Sequence, residues 1–181
     1  MINNAAIMNE ARWELMIDIN VKSLIWGTEM AASHMRKDKG GRGGRIINII
    51  SALGLTTNFP SPIYSATKHA VRAYTSSLAQ EPTLPQQGIE YALIAPDIVD
   101  TPLIRALDNS RMHHHDQLKD FIRDKQMEPH IVAEGLLQLL HLDNINGAVL
   151  SVEKERKTFR HVENVDDGPT FDPSKSAAGY V

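Results

Sequence analysis

The chain has 181 residues, 42% of them hydrophobic, with 19 basic against 22 acidic side chains, a formal charge of −3 and no cysteine. That is enough for one domain with its own core, and it leaves no basic face for nucleic acid, no disulfide frame and no thiolate chemistry. Met1-Ile2-Asn3-Asn4 lacks the basic start and apolar core of a signal peptide, and no apolar run approaches the roughly 20 residues that span a bilayer, so the sequence reads as soluble and cytoplasmic.

Residues 2 to 4 read as the end of a strand. From Glu10 to about Lys37, Trp13, Met16, Ile17, Ile19, Leu24, Ile25, Met30 and Met35 fall at three- and four-residue steps, the period of a long helix, with a bend expected near Gly27. Trp13 and Trp26 read as packing residues. Asn20, a poor helix former between Ile19 and Val21, suggests a polar group satisfied at a bend. Gly40-Gly41-Arg42-Gly43-Gly44 precedes a strand instead of following one, which makes it a mobile helix-to-strand turn and not a phosphate cradle. Arg45 to Ser51 is an apolar, β-branched run of the kind buried on both faces of a parallel sheet. A loop through Pro60 leads to a helix over about Ile63 to Gln80, with Pro62 just ahead of it, where a missing N–H does no harm.

Pro82 and Pro85 force a turn before Gly88, and Ile89 to Ala95 is the next strand, ending at Pro96. Residues 101 to about 126 are polar and read as a helical lid, Ile131 to Leu142 as an amphipathic helix, and Gly147 to Val152 as a closing strand. The alternation predicts βαβ units around a parallel sheet, an α/β fold. Beyond Glu153 apolar residues are isolated, so the chain divides into a domain over 1–152 and a mobile polar tail over 153–181. Three adjacent histidines, His113, His114 and His115, cannot meet one ion from a regular helix, so no metal site is expected. Arg36-Lys37 and Lys154 to Lys157 read as solvated faces.

The chemistry concentrates at Tyr64 and Lys68, four apart and therefore on one helix face, with Ser51 thirteen residues before Tyr64 at the carboxyl end of a strand, where open α/β sheets place ligands. An ammonium beside the phenol is expected to lower a pKa of about 10 and make Tyr64 a general base.

Asn3-Asn4-Ala5-Ala6, Asn20, Ser51, Tyr64-x-x-x-Lys68 and the run Pro96 to Thr101, taken in order, resemble the motifs of the short-chain dehydrogenase/reductase family over residues 2 to about 152. The resemblance implies a doubly wound parallel-sheet (Rossmann) domain. Family members open with a strand, a Gly-rich phosphate turn and a helix, and no G-x-x-x-G-x-G follows a strand here. It therefore implies the C-terminal portion of such a domain, with three βα units, on the order of 80 residues, missing before Asn3. It also implies oxidation of a secondary alcohol, lipid-like in chemistry, by hydride transfer to a nicotinamide cofactor, NAD by the likeness, with NADP left open.

Carried onto this chain, the resemblance makes Tyr64 the proton acceptor and Ser51 its partner at the substrate oxygen. Lys68 binds the nicotinamide ribose, and Asn20 holds a water linking Lys68 to solvent. Asn3 and Ala5 lie beside the adenosine, Val99 and Thr101 meet the nicotinamide carboxamide, and Pro96 also borders the cofactor. Ser61 stands where a substrate-orienting side chain is expected. Ala6 and Asp97 replace usual glycines, so Ala6 is expected to crowd the cofactor, and Asp97 to strain its turn and to repel a pyrophosphate. A homodimer through the two long helices is implied. Two alternatives stay open: a truncated, inactive member that acts as an interaction partner, or a fragment of an ordinary enzyme.

Overall fold

A computed structural model describes residues 1–123 and 125–161. In chain order it has β1 (Ile2–Asn3), α1 (Trp13–Ile17), a π-helical turn (Asp18–Lys22), α2 (Ser23–Met35) and β2 (Gly44–Ile49). There follow α3 (Pro62–Leu78), α4 (Leu84–Gln87), β3 (Ile89–Pro96), α5 (Pro102–Arg105), α6 (His115–Ile122), α7 (Pro129–Leu140), β4 (Ala148–Val152) and β5 (Lys157–His161). The strands form one sheet in sequence order, β1 to β4 parallel and β5 antiparallel to β4. The expected mixed α/β architecture is therefore present, and no helix among the described residues is long and apolar enough to cross a membrane.

β2 and β3 form because their β-branched and aromatic side chains are buried on both faces. Ile46 and Ile47 are at most 1% exposed, and Ala92, Ile94 and Ala95 are fully buried. One face carries Leu24 of α2 and Val71 of α3 on Leu93, Ala95 and Val149. The other packs Leu139 and its α7 neighbours onto Ile47, Ile94, Leu150 and Val152. Each fully buried aliphatic side chain contributes about 1.5–3 kcal/mol of transfer free energy.

A polar thread crosses this core. Asn48, fully buried in β2, donates to Thr75 Oγ1 at 2.9 Å and accepts from Asn3 Nδ2 at 2.8 Å. Asn3 also donates to Thr28 of α2 at 3.0 Å, so the short β1 is pinned to both the sheet and the helix layer. Gly27 permits the approach: a Cβ there would stand 2.7 Å from Asn3 Oδ1.

Several expectations change. The long N-terminal helix is interrupted at Asp18–Lys22, around Asn20, and not at Gly27. Trp26 is 73% exposed and Trp13 46%, so neither is a packing residue within the described chain. The lid is two short helices, α5 and α6, with turns between them, and Met127 bridges to Val99 beyond them. The segment after 152 is not all tail, because Lys157–His161 pairs with β4; the backbone alternation of an edge strand suffices where side-chain hydrophobicity is low. Lys157, read as solvated, reaches Glu134 at 2.9 Å. The remaining tail, 162–181, lies outside the described residues.

Candidate active site

A cavity of about 480 Å³ opens at the carboxyl ends of β1, β2 and β3, lined among others by Ser51, Tyr64, Lys68, Pro96, Val99 and Thr101. Each of these side chains arrives for a local reason. Ser51 leaves β2 in extended conformation, and its oxygen accepts from Leu53 N at 3.2 Å, capping the short turn Ala52–Gly54. Tyr64 and Lys68 are one turn apart on α3, which begins with Pro62 at a position that needs no N–H. Both point inward from the helix: Tyr64 is 7% exposed and Lys68 is 2%.

The Lys68 ammonium lies 5.7 Å from the centre of the Tyr64 ring and donates to Ile49 O at 3.1 Å. Burial lowers the Lys68 pKa to about 8. Burial also pushes the Tyr64 phenol up to about 12; the Ser51 hydroxyl works in the opposite direction, although no aligned hydrogen bond joins the two side chains. The expectation of a lysine-depressed tyrosine is thus corrected: burial raises the phenol, and the opposing influence comes from the Ser51 hydroxyl and not from Lys68.

Asn20, fully buried in the π-turn, accepts from Ile7 N at 2.8 Å and donates to Ile7 O at 2.9 Å and Thr67 Oγ1 at 3.2 Å. Thr67 in turn donates to Tyr64 O at 2.7 Å. Asn20 therefore clasps the loop after β1 to the helix that carries Tyr64 and makes no direct contact with Lys68. The wider π-turn leaves room for that side chain within the helix stack.

Three assignments move. Ile2, Asn4 and Ala6 line the cavity, whereas Asn3 turns toward Thr28 and Asn48, and Ala5 is exposed away from it. Extended backbone alternates its side chains, which turns Ile2 and Asn4 toward the cavity and Asn3 toward the helix layer. Ser61 is fully buried outside the lining, its hydroxyl donating to Asn58 Oδ1, and it cannot meet a substrate there. Asp97 shows no backbone strain, since no described non-glycine residue has positive φ; it lines the cavity half-buried, with its pKa raised by burial against a backbone hydrogen bond from Ile98 and the charge of Lys125.

The lining donors suit one half of a dinucleotide. Lys68, Ser51 and Thr101 supply an ammonium and two hydroxyls where a ribose and a carboxamide need partners. For a pyrophosphate the described lining offers no cation beyond Lys68, and Asp97 adds an anion. Apolar side chains wall the mouth. Leu103, Ile104 and Phe121 come from the lid, while Tyr64 shares a cluster with Met8, Met16, Leu107, Met112 and Leu118. The His114 ring packs on Phe59 with centroids 5.2 Å apart, and among the described residues no three side chains are grouped to hold a metal ion.

A family model described as short chain dehydrogenase matches residues 1–111. The 15-hydroxyprostaglandin dehydrogenase [NAD(+)] of Rattus norvegicus is 32% identical over 177 residues, 94% of this chain and 66% of the relative. That of Homo sapiens is 32% identical over 93% of this chain and 65% of the relative. Alcohol dehydrogenase 1 of Ceratitis cosyra is 33% identical over 82% of this chain and 58% of the relative. Among solved structures, ElxO with NADP bound superposes with a TM-score of 0.60 at 25% identity, covering 83% of this chain and 64% of that one. The chain spans about two thirds or less of the length of these relatives.

Proposed function

The chain belongs to the short-chain dehydrogenase family, and from that premise we propose that it is an NAD-dependent oxidoreductase that oxidises a secondary alcohol through Tyr64. The observation that carries the reading is the shared cavity: a phenol, an ammonium and a hydroxyl, all withdrawn from water, face one space at the carboxyl ends of parallel strands. NAD as the cofactor is supported by the NAD(+) dehydrogenases among the relatives, and the bound NADP of ElxO keeps the phosphorylated form in the test.

Lys68, Val99 and Thr101 would hold a nicotinamide cofactor, which when bound would supply the hydride acceptor and a positive charge. Ser51 holds the alcohol oxygen, and Tyr64 takes its proton as the C–H bond breaks. Lys68 holds the ribose, and with the cationic ring opposes the desolvation that keeps the phenol protonated. Asn20 acts on Tyr64 only through Thr67. The aliphatic mouth favours an apolar, lipid-like alcohol or ketone. The exposed Trp26 and Met30 on α2 support a homodimer through that helix and α3.

A second reading, a family member that pairs without turning over, is favoured by one observation, the scarcity of cationic donors for a pyrophosphate in the described lining. The experiment that separates them titrates the purified chain with NAD and NADP and follows nicotinamide fluorescence as a panel of secondary alcohols is added. Reduction that disappears in Tyr64→Phe supports the enzyme. Binding without reduction in the wild type, together with a dimeric mass, supports the second reading.

A further inference from the structure

Helix α3 starts without a cap of its own. Ser61, at the N-cap position, makes no side-chain bond to the helix, because its hydroxyl is turned to Asn58, and the first turn contains no acidic residue. Pro62 has no N–H, which leaves the amides of Ile63 and Tyr64 without intrahelical acceptors. Both find one residue more than fifty positions upstream. Glu10 Oε2 accepts from Ile63 N at 3.1 Å, and Oε1 accepts from Tyr64 N at 2.9 Å.

Glu10 is itself 1% exposed, and among the described residues no cation is paired with it. A buried carboxylate is costly unless its charge is met, and here it is met by two converging amides at the positive end of a helix. The same residue reaches the lid through its backbone: Glu10 N and Ala11 N both donate to Arg111 O, at 2.8 and 3.3 Å. The next residue, Met112, is 1% exposed and packs in one cluster with Tyr64, Leu107 and Leu118.

We propose that Glu10 is a positioning residue that fixes the Tyr64 end of α3 and ties it to the lid loop above. The proposal rests on the alcohol-oxidation reading for its catalytic consequence, but the tether itself is a property of the fold. A misplacement of a reacting group by about 1 Å can cost about 100-fold in rate, so a bracket on the backbone of the base acts on turnover more than on ligand affinity.

Glu10→Gln is the discriminating variant, because it keeps the size and one acceptor oxygen but turns an amide donor toward a backbone donor. Hydrogen exchange at the Ile63 and Tyr64 amides should quicken about tenfold. The kcat should fall about tenfold or more, while KM for alcohol and NAD changes less than about twofold. Glu10→Asp should recover part of both, and it carries the same comparison should Glu10→Gln not fold. Glu29→Ala, which removes the acceptor of a different tether of α3, the 2.6 Å bond from Tyr74, should change neither the two amides nor kcat.

Unchanged exchange at Ile63 and Tyr64 in Glu10→Gln, or a kcat loss no larger than that of Glu29→Ala, would overturn the proposal. If the wild type itself shows no turnover, the alcohol-oxidation reading fails. The exchange measurement then decides the tether alone, with faster exchange upholding it and intact protection overturning it.

Discussion

At the amino ends of β2 and β3, Arg45 is saturated with partners: Glu90 at 2.8 Å, Leu140 O at 2.7 Å, Leu142 O at 2.8 Å and Asp143 O at 3.0 Å. At the carboxyl ends of the same strands, Lys68 has one carbonyl and no carboxylate within pairing distance among the described residues, and Tyr64 has no aligned partner for its phenol. One end of the sheet uses charge as a fastener between the β2–β3 edge and the loop after α7. The other leaves titratable groups desolvated and underbonded, so that a small added charge can move their protonation. Burial alone does not distinguish a structural from a chemical group; the number of partners supplied does.

The largest effect that would break this contrast is on turnover. Tyr64→Phe should lower kcat for alcohol oxidation by about 10²–10⁴ while leaving the far-ultraviolet dichroism and NAD affinity in place, measured by fluorescence. At the opposite end, Arg45→Met should destabilise the fold by about 1–2 kcal/mol in urea unfolding, the half-exposed pair with Glu90 discounted for solvent and the three carbonyls left unserved. It should leave kcat unchanged.

Lys68→Met sharpens the comparison, because it removes a charge that burial opposes. The folded value of about 8 lies below the ordinary 10.5. The penalty is therefore complete below pH 8 and is relieved as the pH climbs from 8 toward 10.5, since the unfolded chain holds more protons there. The variant should match or exceed the wild type by of order 1 kcal/mol at pH 7, and that advantage should shrink between pH 8 and 10. Tyr64 does not confuse that window, because its raised value removes stability only above about pH 10. An Arg45-like loss of stability at neutral pH in Lys68→Met would sink the contrast.

The smallest effect concerns Asp97 on the cavity wall. Asp97→Gly should tighten NAD a few-fold, consistent with a repulsion of about 1 kcal/mol at solvent-exposed separations. A change below the error of calorimetry would show that the carboxylate does not feel the cofactor.

Much of this was readable from the chain because the signals were local and repeated. Arg45 to Ser51, Ile89 to Ala95 and Gly147 to Val152 are apolar runs whose type survives boundary errors of a residue or two. Tyr64 and Lys68 share a face by helical spacing alone. The parts that escaped depend on register or on distance. A two-residue strand carries too little pattern to tell which of Asn3 and Asn4 faces the cavity, and the resemblance supplies positions without side-chain direction. The strand over Lys157–His161 is polar at its borders, and pairing with β4 supplies what its composition does not. Nothing near Pro62 indicates that its cap comes from Glu10; the one hint, a Ser61 followed by no acidic residue in the first turn, points to the ordinary local cap instead. The direction of the Tyr64 pKa escapes the sequence for a similar reason. Spacing reveals the neighbouring ammonium but not the depth at which both groups lie.

The most direct test of the central claim, that the desolvated phenol at the carboxyl ends of the strands takes the alcohol proton, is a side-by-side assay of NAD reduction by wild type and Tyr64→Phe at equal cofactor saturation. The account predicts turnover in the wild type and a loss of about 100-fold or more in the variant. A Tyr64→Phe chain that reduces NAD at the wild-type rate would contradict it.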